Sequence, residues 1–236
     1  MRYCGIVVSG GYLHLCTLEE VRAAEPPIRL HATFFEPGSV DEVAAEVRTG
    51  ETVVAIATPA RTAREQPASR VCDAQLRRRG VFPLEYEESG RRIFQALANR
   101  GVYSPSDSAG QVTGSVNEGG YREAPVFETH PDGIFCALQG IRVPAKRHPF
   151  GMQVRIDELA DEHVEDPGGE LWYRRIEEIE AAASALCAHR YAVGHACWVG
   201  DPDEGVIVLP GPRLPDAFSG EGVIPPVPRT PLHRPA

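Results

Sequence analysis

The chain has 236 residues, of which 42% are hydrophobic and 24% charged, a length and composition typical of a single soluble globular domain. It contains no run of about 18 apolar residues, which excludes a helical membrane span, and no apolar leader, so we expect a cytoplasmic protein. The formal net charge of −9 means that the molecule as a whole repels nucleic acid, and any nucleic-acid contact requires a local basic patch.

Apolar runs bounded by turn residues predict strands along the whole chain. They span residues 3–8, 12–18, 28–35, 52–56, 125–129, 195–199 and 206–209. The first three strands can pair antiparallel. The fourth is apolar without alternation, which indicates burial on both faces, as in the middle of a sheet.

Apolar residues at helical spacing predict helices between these strands. They cover residues 40–49, 67–79, 89–99, 131–138 and 171–190. Residues 104–124 are rich in Gly and Ser and are interpreted as a loop. A single domain over residues 1–210 is expected, followed at residues 211–236 by a Pro-rich tail that is poorly ordered or lies on the surface. The order of elements predicts a mixed α/β sheet, with three antiparallel strands and then parallel strands, flanked by helices.

Short motifs along the chain agree with a ribonuclease H-like arrangement of these elements. They are Gly5-Ile6-Val7, residues 54–59 (VAIATP), 70–73 (RVCD), 126–131 (VFETHP), 146–149 (KRHP), 177–183 (EEIEAAA) and 200–202 (GDP). In this order and spacing, the chain resembles the family of predicted ribonuclease H-like nucleases called domain of unknown function 429. The resemblance covers about residues 3–210.

The resemblance implies hydrolysis of a phosphodiester with two Mg²⁺ or Mn²⁺ ions held by carboxylates. Such a site has acids at the ends of the first and fourth strands, a Glu in the fifth strand and an acid on the last helix, because hard cations require oxygen ligands. This chain departs from the pattern at two of the four positions, where it carries Val7 and Ala57. Glu128 stands at the expected place in the fifth strand.

Three glutamates compete for the helix position, namely Glu177, Glu178 and Glu180. At 100° per residue, Glu180 falls at the edge of the apolar stripe of the helix, whereas Glu178 lies opposite to it. Glu128 and Glu180 are therefore the expected metal ligands and catalytic carboxylates. The expected substrate-binding residues are His130, Lys146 and Arg147.

Two carboxylates are a poor cage for two divalent ions. The leading hypothesis is therefore a degenerate metal site with weak or no phosphodiesterase activity. One alternative is a non-catalytic module that binds nucleic acid, a nucleotide or a protein partner. Another is an active nuclease in which other groups near the vacated positions fill the gap; the candidates are Ser9, Thr58, Asp73 and His130. A third is a repurposed enzyme that uses Asp73 or His130 in a shifted site.

Two further features have structural explanations. Arg77-Arg78-Arg79 stands at a predicted helix end, where it complements the helix dipole, although a nucleic-acid patch together with Arg91-Arg92 is an alternative. The six cysteines form no CxxC pair, so they are interpreted as reduced core residues and not as disulfides or zinc ligands.

Overall fold

The computed structural model of the protein describes residues 1–48, 52–60, 70–102, 126–201, 204–216 and 218. Eight strands are found in this part of the chain. They are β1 Arg2–Ser9, β2 Tyr12–Arg22, β3 Ile28–Phe34, β4 Thr52–Ala57, β5 Val126–Glu128, β6 Val164–Glu165, β7 Ala196–Asp201 and β8 Gly205–Pro210. The first six form one sheet, and β7 and β8 pair antiparallel in a second sheet of their own.

The six-stranded sheet has the order β5-β4-β1-β2-β3-β6. Strand β2 runs antiparallel to both β1 and β3, whereas β4 is parallel to β1 and β5 is parallel to β4. This is the ribonuclease H-like arrangement, and it confirms the predicted mixed sheet of three antiparallel strands followed by parallel ones. The ends of β1, β4 and β5 consequently lie side by side at one edge of the sheet.

Six α-helices surround this sheet in the described residues. They are α1 Val40–Glu46, α2 Val71–Arg78, α3 Glu88–Asn99, α4 Pro131–Gln139, α5 Pro149–Asp161 and α6 Ile176–Ala192. Helices α1 and α3 share a hydrophobic core with one face of the sheet, and α6 shares a second core with the opposite face. No helix in this part of the chain is both long and apolar enough to span a membrane.

Helix α6 lies directly on the central strand β1 because both surfaces carry very small residues. A side chain at Gly5 would overlap the backbone of α6 at Ala181 O and Ala185 N. Facing it on the helix are buried small residues, including Ala181, Ala182 and Ser184. The small residues bring the helix backbone against the strand, and this contact fixes where the side chains of α6 meet the sheet.

Helix α5 and the short strand β6 were not predicted from the sequence. Helix α5 carries no continuous apolar stripe, because Gly151 and the guanidinium of Arg155 occupy its buried face. The predicted helix over residues 171–190 begins only at Ile176, after a 3-10 turn at Leu171–Tyr173. At its start, Arg175 N donates to Glu178, which caps the new helix.

Three predicted regions are described only in part or not at all. The Gly- and Ser-rich loop at 104–124 and residues 67–69 of the predicted second helix lie outside the described residues. Of the Pro-rich tail, Leu214 and Phe218 are buried in the core on the α6 side. The domain boundary at residue 210 stays a prediction.

Replacing Gly5 with Ala should destabilise the fold strongly, because the added methyl group meets helix backbone and not a flexible side chain. We expect the free energy of unfolding to fall by about 3 kcal/mol or more, at the upper end for overpacking. Urea denaturation measures the change. Gly168→Ala is the control, since its methyl group meets only the Asp166 side chain at 3.5 Å, and it should change stability by less than about 0.5 kcal/mol. Equal effects of the two variants would contradict the close contact.

Candidate functional site

The ends of β1, β4 and β5 form the place where the resemblance expects metal ligands, called here the strand-end corner. Val7 and Ala57 are direct partners in the parallel pairing of β1 with β4. Both side chains belong to the core on the α6 side and are 4% exposed. Neither offers a side-chain oxygen atom to a cation. Two of the four expected ligand positions are therefore occupied by apolar side chains packed in the core.

Glu128 lies at the end of β5 and is almost completely buried, with 1% of its surface exposed. Arg70 Nη1 donates to Glu128 Oε2 at 2.8 Å, and Arg70 Nη2 lies 2.7 Å from Oε1. The backbone N–H of Ala60 donates to the same Oε2 at 3.3 Å. Both oxygens of the carboxylate are thus in contact with a guanidinium group.

The same guanidinium also binds a second carboxylate. Arg70 Nε and Nη2 donate to the two oxygens of Asp73 at 2.9 and 3.0 Å. Arg70 is only 3% exposed, and it stands immediately before the first turn of α2. One guanidinium group is thus paired with two carboxylates. We call Arg70, Asp73 and Glu128 the Arg70 cluster.

Burial and charge act in opposite directions on the pKa of Glu128. Burial raises the pKa of this carboxyl above its usual 4.5, and the Arg70 guanidinium opposes the rise by its charge and its hydrogen bonds. A raised pKa in the folded state means that the stability contributed by this carboxyl is lost as pH rises from 4.5 through the raised value. Arg70 is the group that limits this loss, because its own pKa is raised by Glu128 and it stays charged.

Glu180 is the acid of α6 that is buried, with 4% of its surface exposed. Its partner is Lys146, whose Nζ donates to the two carboxylate oxygens at 2.9 and 3.1 Å. Burial raises the pKa of the Glu180 carboxyl, and the charge of Lys146 opposes the rise. The second predicted ligand therefore also has a cationic side chain of the protein as its partner.

The structure does not bring Glu128 and Glu180 together. Phe127 packs against the ring of Tyr191 on α6, and Thr129 Oγ1 lies 3.5 Å from the sulfur of Cys187 on the same helix. Successive side chains of a strand point to opposite faces, so the intervening Glu128 faces away from α6. Glu180 is carried by that helix.

The three predicted substrate-binding residues have different environments. His130 is the N-cap of α4: its Nδ1 accepts from Gly133 N at 3.2 Å, and its Nε2 lies 2.7 Å from the carbonyl oxygen of Phe82. Both ring nitrogens are therefore used by the backbone. Lys146 is bound to Glu180, whereas Arg147 is exposed in the turn before α5 and makes no ion pair with any described residue. Their role in substrate binding stays a prediction.

The alternative ligand candidates are also held apart. Asp73 belongs to the Arg70 cluster, and Thr58 packs so closely on α3 that a side chain at Gly90 would overlap it. His130 serves as a helix cap, and Ser9 is partly exposed at the end of β1. Within the described part of the chain, no group of three or more His, Cys, Asp or Glu side chains is arranged to hold a metal ion.

The residues that the structure describes therefore do not fit a pair of Mg²⁺ or Mn²⁺ ions. These ions take several oxygen ligands that converge on one point. Here a cation placed between Glu128 and Asp73 would meet the buried positive charge of Arg70, and Glu180 is carried by α6 with its own cationic partner. Sequence reasoning missed Arg70 as the partner of Glu128, although its motif was noted.

Replacing Arg70 with Met should leave Glu128 buried without its cationic partner. We expect the free energy of unfolding to fall by about 3–5 kcal/mol, the usual cost of breaking a buried ion pair from one side. Urea denaturation at neutral pH measures it, and adding Glu128→Met should recover most of the loss. The control is Arg91→Met, which breaks the more exposed pair with Glu88 and should cost less than about 1 kcal/mol. A similarly small loss for Arg70→Met would contradict a structural pair.

His130 should make the fold sensitive to acid. Burial lowers the pKa of its imidazole below the ordinary 6.5, so its contribution to stability is full above pH 6.5 and is lost as pH falls below that value, by up to ~1.4 kcal/mol per pH unit. Protonation of Nδ1 would also remove the acceptor that caps α4. We expect His130→Asn, which keeps a capping oxygen, to reduce the slope of unfolding free energy against pH in the range from about 6.5 down to the lowered pKa of the folded state.

The matched control for His130→Asn is a cap whose side chain does not titrate in that range. Ser39 caps α1 through a reciprocal pair of hydrogen bonds with Glu42. Ser39→Ala should lower the free energy of unfolding by about 1 kcal/mol, and this loss should be the same throughout that pH range. An unchanged slope in His130→Asn, measured by denaturant unfolding, would contradict a neutral histidine cap.

The match to a family model agrees with the resemblance seen in the sequence. No curated protein sequence matches the chain significantly. Among solved structures, that of RuvC from Thermus thermophilus is similar over 82% of this chain and 97% of its own, with 15% sequence identity and a TM-score of 0.43. Residues 4–204 match the model of the family described as "Protein of unknown function (DUF429)". The chain belongs to the DUF429 family.

Proposed function

We propose that this protein is a ribonuclease H-like domain that binds its ligand without hydrolysing phosphodiesters by the two-metal mechanism. The observation that carries the proposal is the Arg70 cluster, in which a buried guanidinium holds both Glu128 and Asp73. A protein side chain supplies there the positive charge that two divalent ions would bring to an intact site. Val7 and Ala57 support the same conclusion, since they remove two ligands outright.

The energetic argument concerns what a metal ion would have to displace. Binding of Mg²⁺ or Mn²⁺ by Glu128 requires Arg70 to leave, and Arg70 would then be a buried charge with only Asp73 as partner. Separating a buried pair costs about 3–5 kcal/mol. This cost weakens metal affinity by about two to four orders of magnitude, before the missing ligands at Val7 and Ala57 are considered.

The proposal gives Glu128 and Glu180 structural roles in place of catalytic ones. Each carboxylate orders a cation on a neighbouring element: Glu128 holds the start of α2 through Arg70, and Glu180 holds the loop before α5 through Lys146. The alternative is an active nuclease that uses other groups of the chain as ligands. A metal titration distinguishes the two, because an active nuclease must bind the metal tightly enough to use it.

Metal binding should be absent when followed by thermal unfolding in Mg²⁺ or Mn²⁺ at matched ionic strength. A site with a Kd of about 10 µM would stabilise the protein by about 2.7 kcal/mol at about 1 mM metal and raise Tm by about 5–10 °C. We expect no saturable rise, and no cleavage of single-stranded or duplex DNA or of RNA in the same buffers. A ribonuclease H-like enzyme with all four acids is the positive control.

The opposite result is equally clear. The proposal would be overturned by a saturable rise of Tm at sub-millimolar metal that Glu128→Gln abolishes. Circular dichroism must show in this case that the variant is folded. A rise abolished by Glu180→Gln, together with metal-dependent cleavage, would favour the active nuclease. Glu88→Gln, an exposed carboxylate of α3, is the matched control for both variants.

A further inference from the structure

A second region of the surface carries chemistry that the strand-end corner does not use. A groove with a volume of ≈ 700 Å³ lies between the C-terminal end of α2, strand β7 and the segment after β8. It is lined by Arg78 of α2 and the C-cap residue Arg79, by Trp198 of β7, and by Arg213 and Asp216 of the final segment. We call it the arginine groove.

The arginine groove has an excess of positive charge in a chain whose formal net charge is −9. The lining contains three arginines and one carboxylate, and none of the three arginines forms an ion pair with a described residue. Arg79 is held in place by its hydrogen bonds to the carbonyl oxygens of Pro215, at 2.8 Å, and Gln75, at 2.9 Å. Arg78 and Arg213 are exposed, so their guanidinium groups are open to an anion.

An exposed aromatic ring accompanies these charges. Trp198 is 47% exposed, although its partner strand β8 is buried along its whole length. A large planar ring beside guanidinium groups suits a ligand that combines rings with negative charge, because the ring offers a stacking surface and the arginines bind phosphate oxygens. Acidic peptides would satisfy the arginines but, as a class, bring no ring to Trp198.

We propose that the arginine groove binds single-stranded nucleic acid, with one base stacked on Trp198 and neighbouring phosphates on Arg78 and Arg213. A single strand fits better than a duplex, since paired bases are stacked on each other and cannot offer a face to the indole. The proposal does not depend on the state of the strand-end corner. None of the groove residues belongs to the Arg70 cluster, and a catalytically active corner would leave the groove unchanged.

The two tryptophans of the chain allow a direct test. In a Trp172→Phe background, the tryptophan fluorescence, excited selectively over that of the tyrosines, comes from Trp198 alone, and Trp172 lies on a separate 3-10 turn. The probe is an oligothymidine of about 12 nucleotides, within the usual range of single-strand sites. We expect saturable quenching at low salt. Two phosphate contacts predict that the logarithm of the association constant falls with the logarithm of salt concentration with a slope of about −1.4.

Variants assign the binding to the groove, with a labelled oligothymidine followed by fluorescence anisotropy. Trp198→Ala should weaken binding by at least about 5-fold, the lower end for loss of one stacked base. The double variant Arg78→Ala/Arg213→Ala should weaken binding more than Trp198→Ala does. It should also reduce the slope of the logarithm of the association constant against the logarithm of salt concentration. The matched control is Arg92→Ala/Arg100→Ala, which removes the same charge from two exposed arginines of α3 and its C-cap and should leave binding unchanged.

Four outcomes would overturn the proposal. The first is no quenching at low salt, and the second is equal loss of binding in the Arg92→Ala/Arg100→Ala control. The third is that duplex DNA of the same length binds as tightly as the single strand. The fourth is that polyglutamate quenches Trp198 as strongly as oligothymidine, which would show that the groove binds any polyanion.

Discussion

The close contact between α6 and the centre of the sheet is the constraint on which the rest of the structure depends. Gly5 leaves no side chain between β1 and the backbone of the helix. The helix so held is buried without interruption from Ile179 to His189, and Glu180 is the acid within that stretch. A carboxylate so placed must be neutralised or bound by a cation. The burial of Glu180 in this fold therefore requires a cationic partner, and Lys146 is that partner.

The two carboxylate–cation pairs differ in how firmly they are held. Arg70 is 3% exposed and presents a planar group that contacts Glu128 and Asp73 together. The side chain of Lys146 is 44% exposed, and its compact charge sits on a flexible stem. Solvent screens the Lys146 pair more than the Arg70 pair. The ion pair at the start of α2 is thus the less screened of the two.

Local patterns in the sequence predicted those parts of the fold that depend on neighbouring residues. Strands β1 to β4, helix α3 and the β7–β8 pair follow from apolar periodicity, and the same periodicity identified Glu180 as the acid of α6 nearest to the apolar face. The contact between Arg70 and Glu128 joins residues 58 positions apart, which no local pattern encodes. His130 was a missed local signal, because the following Pro131 at the first position of a helix marks its neighbour as a cap.

The charges along α2 show why Arg70 belongs to the cluster and not to the helix. A helix dipole favours anions at its start and cations at its end. Glu204 accepts from Val71 N at the start, and Arg77 and Arg78 stand in the last turn, so both follow that rule. Arg70 opposes it, since it places a buried cation beside the positive end of the helix. Only the two carboxylates that it contacts offset this cost, which makes Arg70 an internal counterion whose position is set by Glu128 and Asp73.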